Sequence, residues 1–264
     1  MSGLRGETVD APALHAEVAH KPARGWYTTS QVARILGVAE ASVKRLADSG
    51  AIACTRSPAH KKRFFTSQQI VDHLRAGRAS PCRGLSEALR SGDQDEFVAQ
   101  VIDLLERGGH LEDVLDDTLG RAGPSIEAGF ANEVLLRLLG LVAQGRDSGR
   151  PALVARIGNT ATEARMVECV LRAMGYDALS ASESVEANEL ANMALRVGAE
   201  LVVFVVANCP APMLGPVLRV GAALATVLRE GSVFVVGGGA LEVPQGVVRV
   251  TTMAELGRFL RGGG

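Results

Sequence analysis

The chain has 264 residues, of which 47% are hydrophobic and 22% charged, with a formal net charge of −1. That apolar content supplies a core and excludes wholesale disorder, and its 30 glycines and 10 prolines follow no short repeat of the collagen-like or low-complexity kind. The four cysteines (Cys54, Cys82, Cys169, Cys209) form no CxxC pair, the N-terminus lacks an apolar signal core, and no apolar run is long enough to span a membrane; a soluble, cytoplasmic protein with reduced thiols and no membrane partner is expected.

The near-neutral balance hides an asymmetry. Residues 25–74 hold seven Lys and Arg against three Asp and Glu, whereas residues 81–150 hold seven against thirteen. A basic module followed by an acidic one places an electrostatic footprint for a polyanion near the N-terminus.

Residues 1–24 show no sustained periodicity and read as a flexible tail. In the module 25–78, Thr28 and Gln31 fit a capping box, with Val32, Ile35 and Leu36 as the apolar face of a first helix that Gly37 ends. A second helix is predicted from about residue 40 to 49, with Val43 and Leu46 inward and Ala41, Lys44, Arg45 and Asp48 outward. Residues 52–55 and 63–65 read as two strands of a basic hairpin, and Thr66 with Gln69 caps a third helix carrying Ile70, Val71 and Leu74. Residues 79–84 look like a linker. Short apolar stripes at helical spacing over 85–147 predict a small helical bundle.

From 151 to 262, apolar strands alternate with amphipathic helices. Strands are expected at 152–157, 177–179, 201–206, 232–236 and 247–250, and helices at about 161–174, 185–197, 213–229 and 252–261. Such βαβ units build a parallel sheet covered on both faces, and right-handed crossovers make it a flavodoxin-like five-stranded parallel sheet of order 2-1-3-4-5. The fold class expected is therefore α/β multidomain: a winged helix-turn-helix head, a small helical bundle and the flavodoxin-like sheet.

A helix-turn-helix with a basic hairpin has a direct physical use, because the second helix fits the major groove and the wing lays cations along phosphates. The residues expected at double-stranded DNA are Thr28, Ser42, Lys44, Arg45, Arg56, His60, Lys61, Lys62 and Arg63; the plainer alternative is a solvated basic surface. Over about 50 residues this module resembles the winged helix-turn-helix of the MerR family and excisionase-like domains. The matching segments are Tyr27-Thr28-Thr29-Ser30-Gln31-Val32-Ala33, Leu36-Gly37-Val38, Ser42-Val43-Lys44, Gly50-Ala51-Ile52 and Lys62-Arg63-Phe64-Phe65. The resemblance implies binding to duplex DNA, usually as a dimer on a palindromic site. Lys44 stands where that family commonly has Arg, and Arg45 where an aromatic is common, which leaves the sequence preference open.

The order of modules is similar to that of the cobalamin-binding, light-sensing MerR-type repressors of carotenoid genes. Leu171-Arg172-Ala173-Met174-Gly175-Tyr176, residues 184–196 and Val235-Val236-Gly237-Gly238-Gly239 carry that likeness. In those repressors the loop after the first strand holds Asp-x-His-x-x-Gly, whose imidazole ligates cobalt. Here it reads Gly158-Asn159-Thr160-Ala161-Thr162-Glu163-Ala164-Arg165, and the five histidines are His15, His20, His60, His73 and His110. The capping segment of that family centres on Trp and a Glu-His pair, whereas the only tryptophan here is Trp26. The corrinoid pocket reads as degenerate: cobalamin is disfavoured, no metal site and no cofactor are expected, and the C-terminal half is left for homo-oligomerisation or docking of a regulatory protein partner.

Gly158, Asn159, Thr160 and Gly237, Gly238, Gly239 are candidate ligand contacts, since backbone amides after a strand can cradle an anion; a tight turn is the simpler use. Asn208 stands near the place of a receiver domain's phosphoacceptor Asp, and Cys209 reads as an idle thiol. Glu163, Glu183, Glu186 and Glu189 are helix-start charges suited to the macrodipole. No catalytic residues and no enzymatic activity are expected. A small-molecule sensor and a non-enzymatic scaffold or antirepressor-binding protein remain as alternatives.

Overall fold

A computed structural model describes residues 26–57, 62–76, 84–120, 128–142, 149–158, 160–181, 187–206, 211–228, 232–237 and 242–262. Strand β1 (Trp26–Thr28) leads into α1 (Thr29–Leu36) and α2 (Glu40–Asp48); β2 (Thr55–Arg56) and β3 (Arg63–Thr66) form the hairpin, and α3 (Ser67–Arg75) closes the head. Both expected capping boxes are present, Thr28 with Gln31 and Thr66 with Gln69, so each helix starts where a hydroxyl and an amide satisfy orphan backbone N–H groups.

Two features of the head differ from the sequence expectation. Trp26–Thr28 is a strand, pairing antiparallel with β3 through Tyr27 opposite Phe65, so the sheet is three-stranded with order β1-β3-β2. The strand expected at 52–55 begins only at Thr55. The Ile52 amide instead bonds the Leu46 carbonyl (3.2 Å), continuing the turn after α2, while the Ile52 side chain plugs the head core.

Helices α4 (Leu85–Ser91), α5 (Gln94–Glu106), α6 (Leu111–Leu115), a π-helical turn (Asp116–Gly120) and α7 (Ala128–Val142) follow. Then come β4 (Arg150–Ile157), α8 (Ala161–Ala173), β5 (Tyr176–Ala181), α9 (Ala187–Arg196), β6 (Leu201–Val206), α10 (Ala211–Val227), β7 (Val233–Gly237), β8 (Val247–Val250) and α11 (Met253–Leu260). The sheet is wholly parallel with order β5-β4-β6-β7-β8, the doubly wound order expected. All six residues of β6 are buried, as a central strand covered on both faces requires.

One apolar cluster runs from Tyr27 in the head through Phe97 and Leu138 to Val203 and Leu256. A second, containing Leu153, Phe204 and Leu190, fills the opposite face of the sheet. The head packs on the bundle through α1 against α7 and α3 against α5. At the first crossing a Cβ on Gly140 would lie 2.5 Å from the Arg34 side chain and 3.1 Å from the Ile35 amide, so only glycine permits that approach.

The seam is polar as well. Arg75 donates to both carboxylate oxygens of the wholly buried Glu96 (3.2 and 3.1 Å) and pairs with Asp103 at 3.0 Å. Arg137, itself buried, donates to the Ile35 carbonyl (2.5 Å) and to Asp95 (2.7 Å). On the other side of the bundle, the Asp116 carboxylate accepts from the Met253 and Ala254 amides (2.9 and 2.7 Å), capping α11.

Candidate nucleic-acid interface

Helix α2 is anchored by the fully buried Val43, with Leu46 half-buried behind it, and this rotation sets its outer face. Ala41, Lys44 and Arg45 are exposed there, as the period requires. Ser42 is partly buried, its hydroxyl accepting from the Arg45 guanidinium at 3.1 Å. Lys62 is exposed at the start of the second wing strand. A groove of about 480 Å³ separates helix and wing, lined by Thr28, Ser30, Glu40, Lys44, Lys62 and Arg63 among others.

The other expected contacts are distributed differently. The Thr28 hydroxyl is engaged in the capping box of α1. Arg56 and Arg63 do not stand free along the hairpin: both donate to one oxygen of Asp48, Oδ1, at 2.8 and 2.5 Å. The Arg63 side chain keeps only 17% of its exposure, against 62% for Arg56 and 54% for Asp48. Asp48, read from the sequence as one more outward polar residue, is therefore the junction between α2 and the wing. No local signal announces it, because its partners lie 8 and 15 residues away. His60 and Lys61 lie outside the described residues.

The second candidate region is the C-terminal edge of the parallel sheet. Thr160, at the head of α8 beside the switch point between β4 and β6, is completely buried, and its hydroxyl has no hydrogen-bond partner among the described residues. Gly158 precedes it with φ +78°. Gly237 ends β7 with φ +89°, and a Cβ there would sit 2.4 Å from the Val206 carbonyl oxygen, so the tight turn by itself demands glycine. Asn159, Gly238, Gly239, Asn208 and Cys209 lie outside the described residues.

Two titratable groups on α8 are shifted by burial. The Cys169 thiol is fully buried and burial raises its pKa far above the ordinary thiol range, which removes the thiolate that redox or nucleophilic chemistry needs. Burial also raises the Glu168 carboxyl, against the opposing effect of Arg165, Arg172 and Arg156. Among the described residues no group of His, Cys, Asp and Glu is arranged to hold a metal ion, and no helix is long and apolar enough to cross a membrane.

A family model for a helix-turn-helix domain matches residues 26–78, the segment that contains α1, α2 and the wing. No curated protein matches the chain. Among solved structures, the methanol:cobalamin methyltransferase complex MtaBC from Methanosarcina barkeri is similar at 16% identity and a TM-score of 0.40, over 85% of this chain and 92% of that one.

Proposed function

We propose that this chain is a MerR-like transcriptional regulator rather than an enzyme, binding duplex DNA through α2 and the wing. The observation that carries the reading is the helix-turn-helix match at 26–78 coinciding with a helix whose outer face presents Lys44 and Arg45, beside a wing presenting Lys62. An α-helix with its side chains is about 10–12 Å across, and the major groove is about 12 Å wide, so α2 enters while Lys62 meets the flanking backbone. Phosphate contacts set register and base-edge contacts from α2 read sequence. The bundle and α/β region serve self-association or docking of a regulatory protein.

Footprinting of the full chain on the DNA upstream of its own gene, at about 150 mM salt, tests this. Protection of two half-sites about one helical turn apart is the expected result for a dimer. Absence of any protected segment there and in DNA selected from a random pool overturns the reading.

A second reading, a small-molecule sensor, is favoured by the buried, unpartnered hydroxyl of Thr160 at the switch point, where doubly wound sheets bind ligands. His-ligated cobalamin does not fit the residues present. No histidine follows His110 in the sequence, and the loop from Gly158 to Ala161 offers only Asn and Thr side chains. Absorbance of the protein after incubation with cobalamins and desalting separates the readings; retained corrin bands support the sensor.

A further inference from the structure

The pairing of two wing arginines with one recognition-helix carboxylate has a consequence for how the head discriminates between DNA sequences. Arg56 and Arg63 are direct cross-strand neighbours in the hairpin, so two guanidinium groups are held side by side. Like charges placed opposite one another in a ladder repel. The Asp48 Oδ1 atom accepts from both, 2.8 Å from Arg56 and 2.5 Å from Arg63, and so ties both strands of the wing to the last turn of α2.

Helix stability does not account for this aspartate. A carboxylate in the last turn opposes the macrodipole, and α2 already carries Glu40 in its favourable first turn. The Arg56–Asp48 pair, exposed on both sides, contributes little to folding. What the arrangement does is geometric and electrostatic: it sets the distance between wing and recognition helix, and it occupies two cations that would otherwise contact any phosphate within reach.

We infer that Asp48 is a specificity-determining, positioning residue of the DNA interface, which withholds Arg56 and Arg63 from indiscriminate phosphate contact and fixes the wing against α2. The inference rests on the DNA-binding reading above. Asp48→Asn keeps the side-chain shape and removes the charge. The released arginines then find phosphates on any duplex, and the wing loses its register with the helix.

The test measures binding of the full chain to two duplexes across a range of salt, one recovered by the wild-type chain from a random-sequence pool and one with the same bases scrambled. For Asp48→Asn, affinity for the scrambled duplex is expected to rise about 3- to 10-fold near 100 mM salt, and the slope of log K against log salt to steepen by about one to two units. The preference for the selected duplex falls by roughly tenfold, while Asp48→Glu restores it. Arg56→Gln is the companion variant: alone it leaves the salt slope unchanged, and combined with Asp48→Asn it lowers the slope by about one unit. A slope and preference unchanged in Asp48→Asn, or a slope lowered by Arg56→Gln alone, overturns the inference while leaving the regulator reading intact. A wild-type chain that enriches no sequence and binds neither duplex removes both.

Discussion

The seam between head and bundle sets buried charges among its apolar side chains, whereas β6 at the centre of the parallel sheet carries none. At the seam, Glu96 is wholly buried and depends on Arg75 and Gln100 for its hydrogen bonds, and Arg137 is nearly as deep with Asp95 and the Ile35 carbonyl. In β6, Leu201 to Val206 are buried apolar residues without exception. A charged seam depends on every partner being in place, since removal of one strands another in a low-dielectric setting. An apolar core depends on volume and tolerates swaps that preserve it. The head is thus held on the bundle in one specified arrangement, with Gly140 allowing the backbones of α1 and α7 to meet.

The largest effect is expected at Phe204, fully buried in the sheet: Phe204→Ala should cost about 4 kcal/mol of unfolding free energy by urea denaturation, and Phe204→Leu under about 1.5 kcal/mol. Arg75→Ala should follow at about 3 kcal/mol, because it leaves the Glu96 carboxylate buried with only the Gln100 amide; Arg75→Lys, which cannot fork, should recover only part of the loss in the same measurement. Lys44 is exposed on the outer face of α2, so Lys44→Ala should leave unfolding unchanged while weakening binding to a selected duplex about tenfold by gel shift.

The smallest effect concerns pH. Burial raises the Glu168 carboxyl above its unfolded value, so its contribution to folding is present at acid pH and lost as pH rises through the folded pKa. The melting temperature of Glu168→Gln minus that of the wild type should therefore grow between about pH 4 and 7. A difference that is flat or shrinks over that range contradicts the assignment.

Much of this architecture is legible in the residues themselves. The five strands of the α/β region are apolar runs separated by helical periods, and connection handedness then leaves the order found, β5-β4-β6-β7-β8. The capping boxes at Thr28 and Thr66 mark their helices to the residue. What the pattern hides is pairing at long range. Trp26–Thr28 becomes a strand only because β3 lies beside it, with Phe65 opposite Tyr27 but 38 residues further along the chain, and three residues carry no period of their own. Arg75 and Glu96 are 21 residues apart, and Arg137 and Ile35 are 102, so no local spacing connects them. On α2 and the wing the exposure of Lys44, Arg45 and Lys62 is readable from charge and period, but the capture of Arg56 and Arg63 by Asp48 depends on how the hairpin folds back.

Binding of duplex DNA by the exposed cations of α2 and the wing is measured by fluorescence anisotropy of a labelled duplex of about 30 base pairs, three helical turns, titrated with the full chain at increasing salt. The expected result is binding whose log K falls linearly with log salt, with the slope reduced by about one unit in Lys62→Ala. No binding at about 50 mM salt, or a slope that Lys62→Ala and Lys44→Ala both leave unchanged, contradicts it.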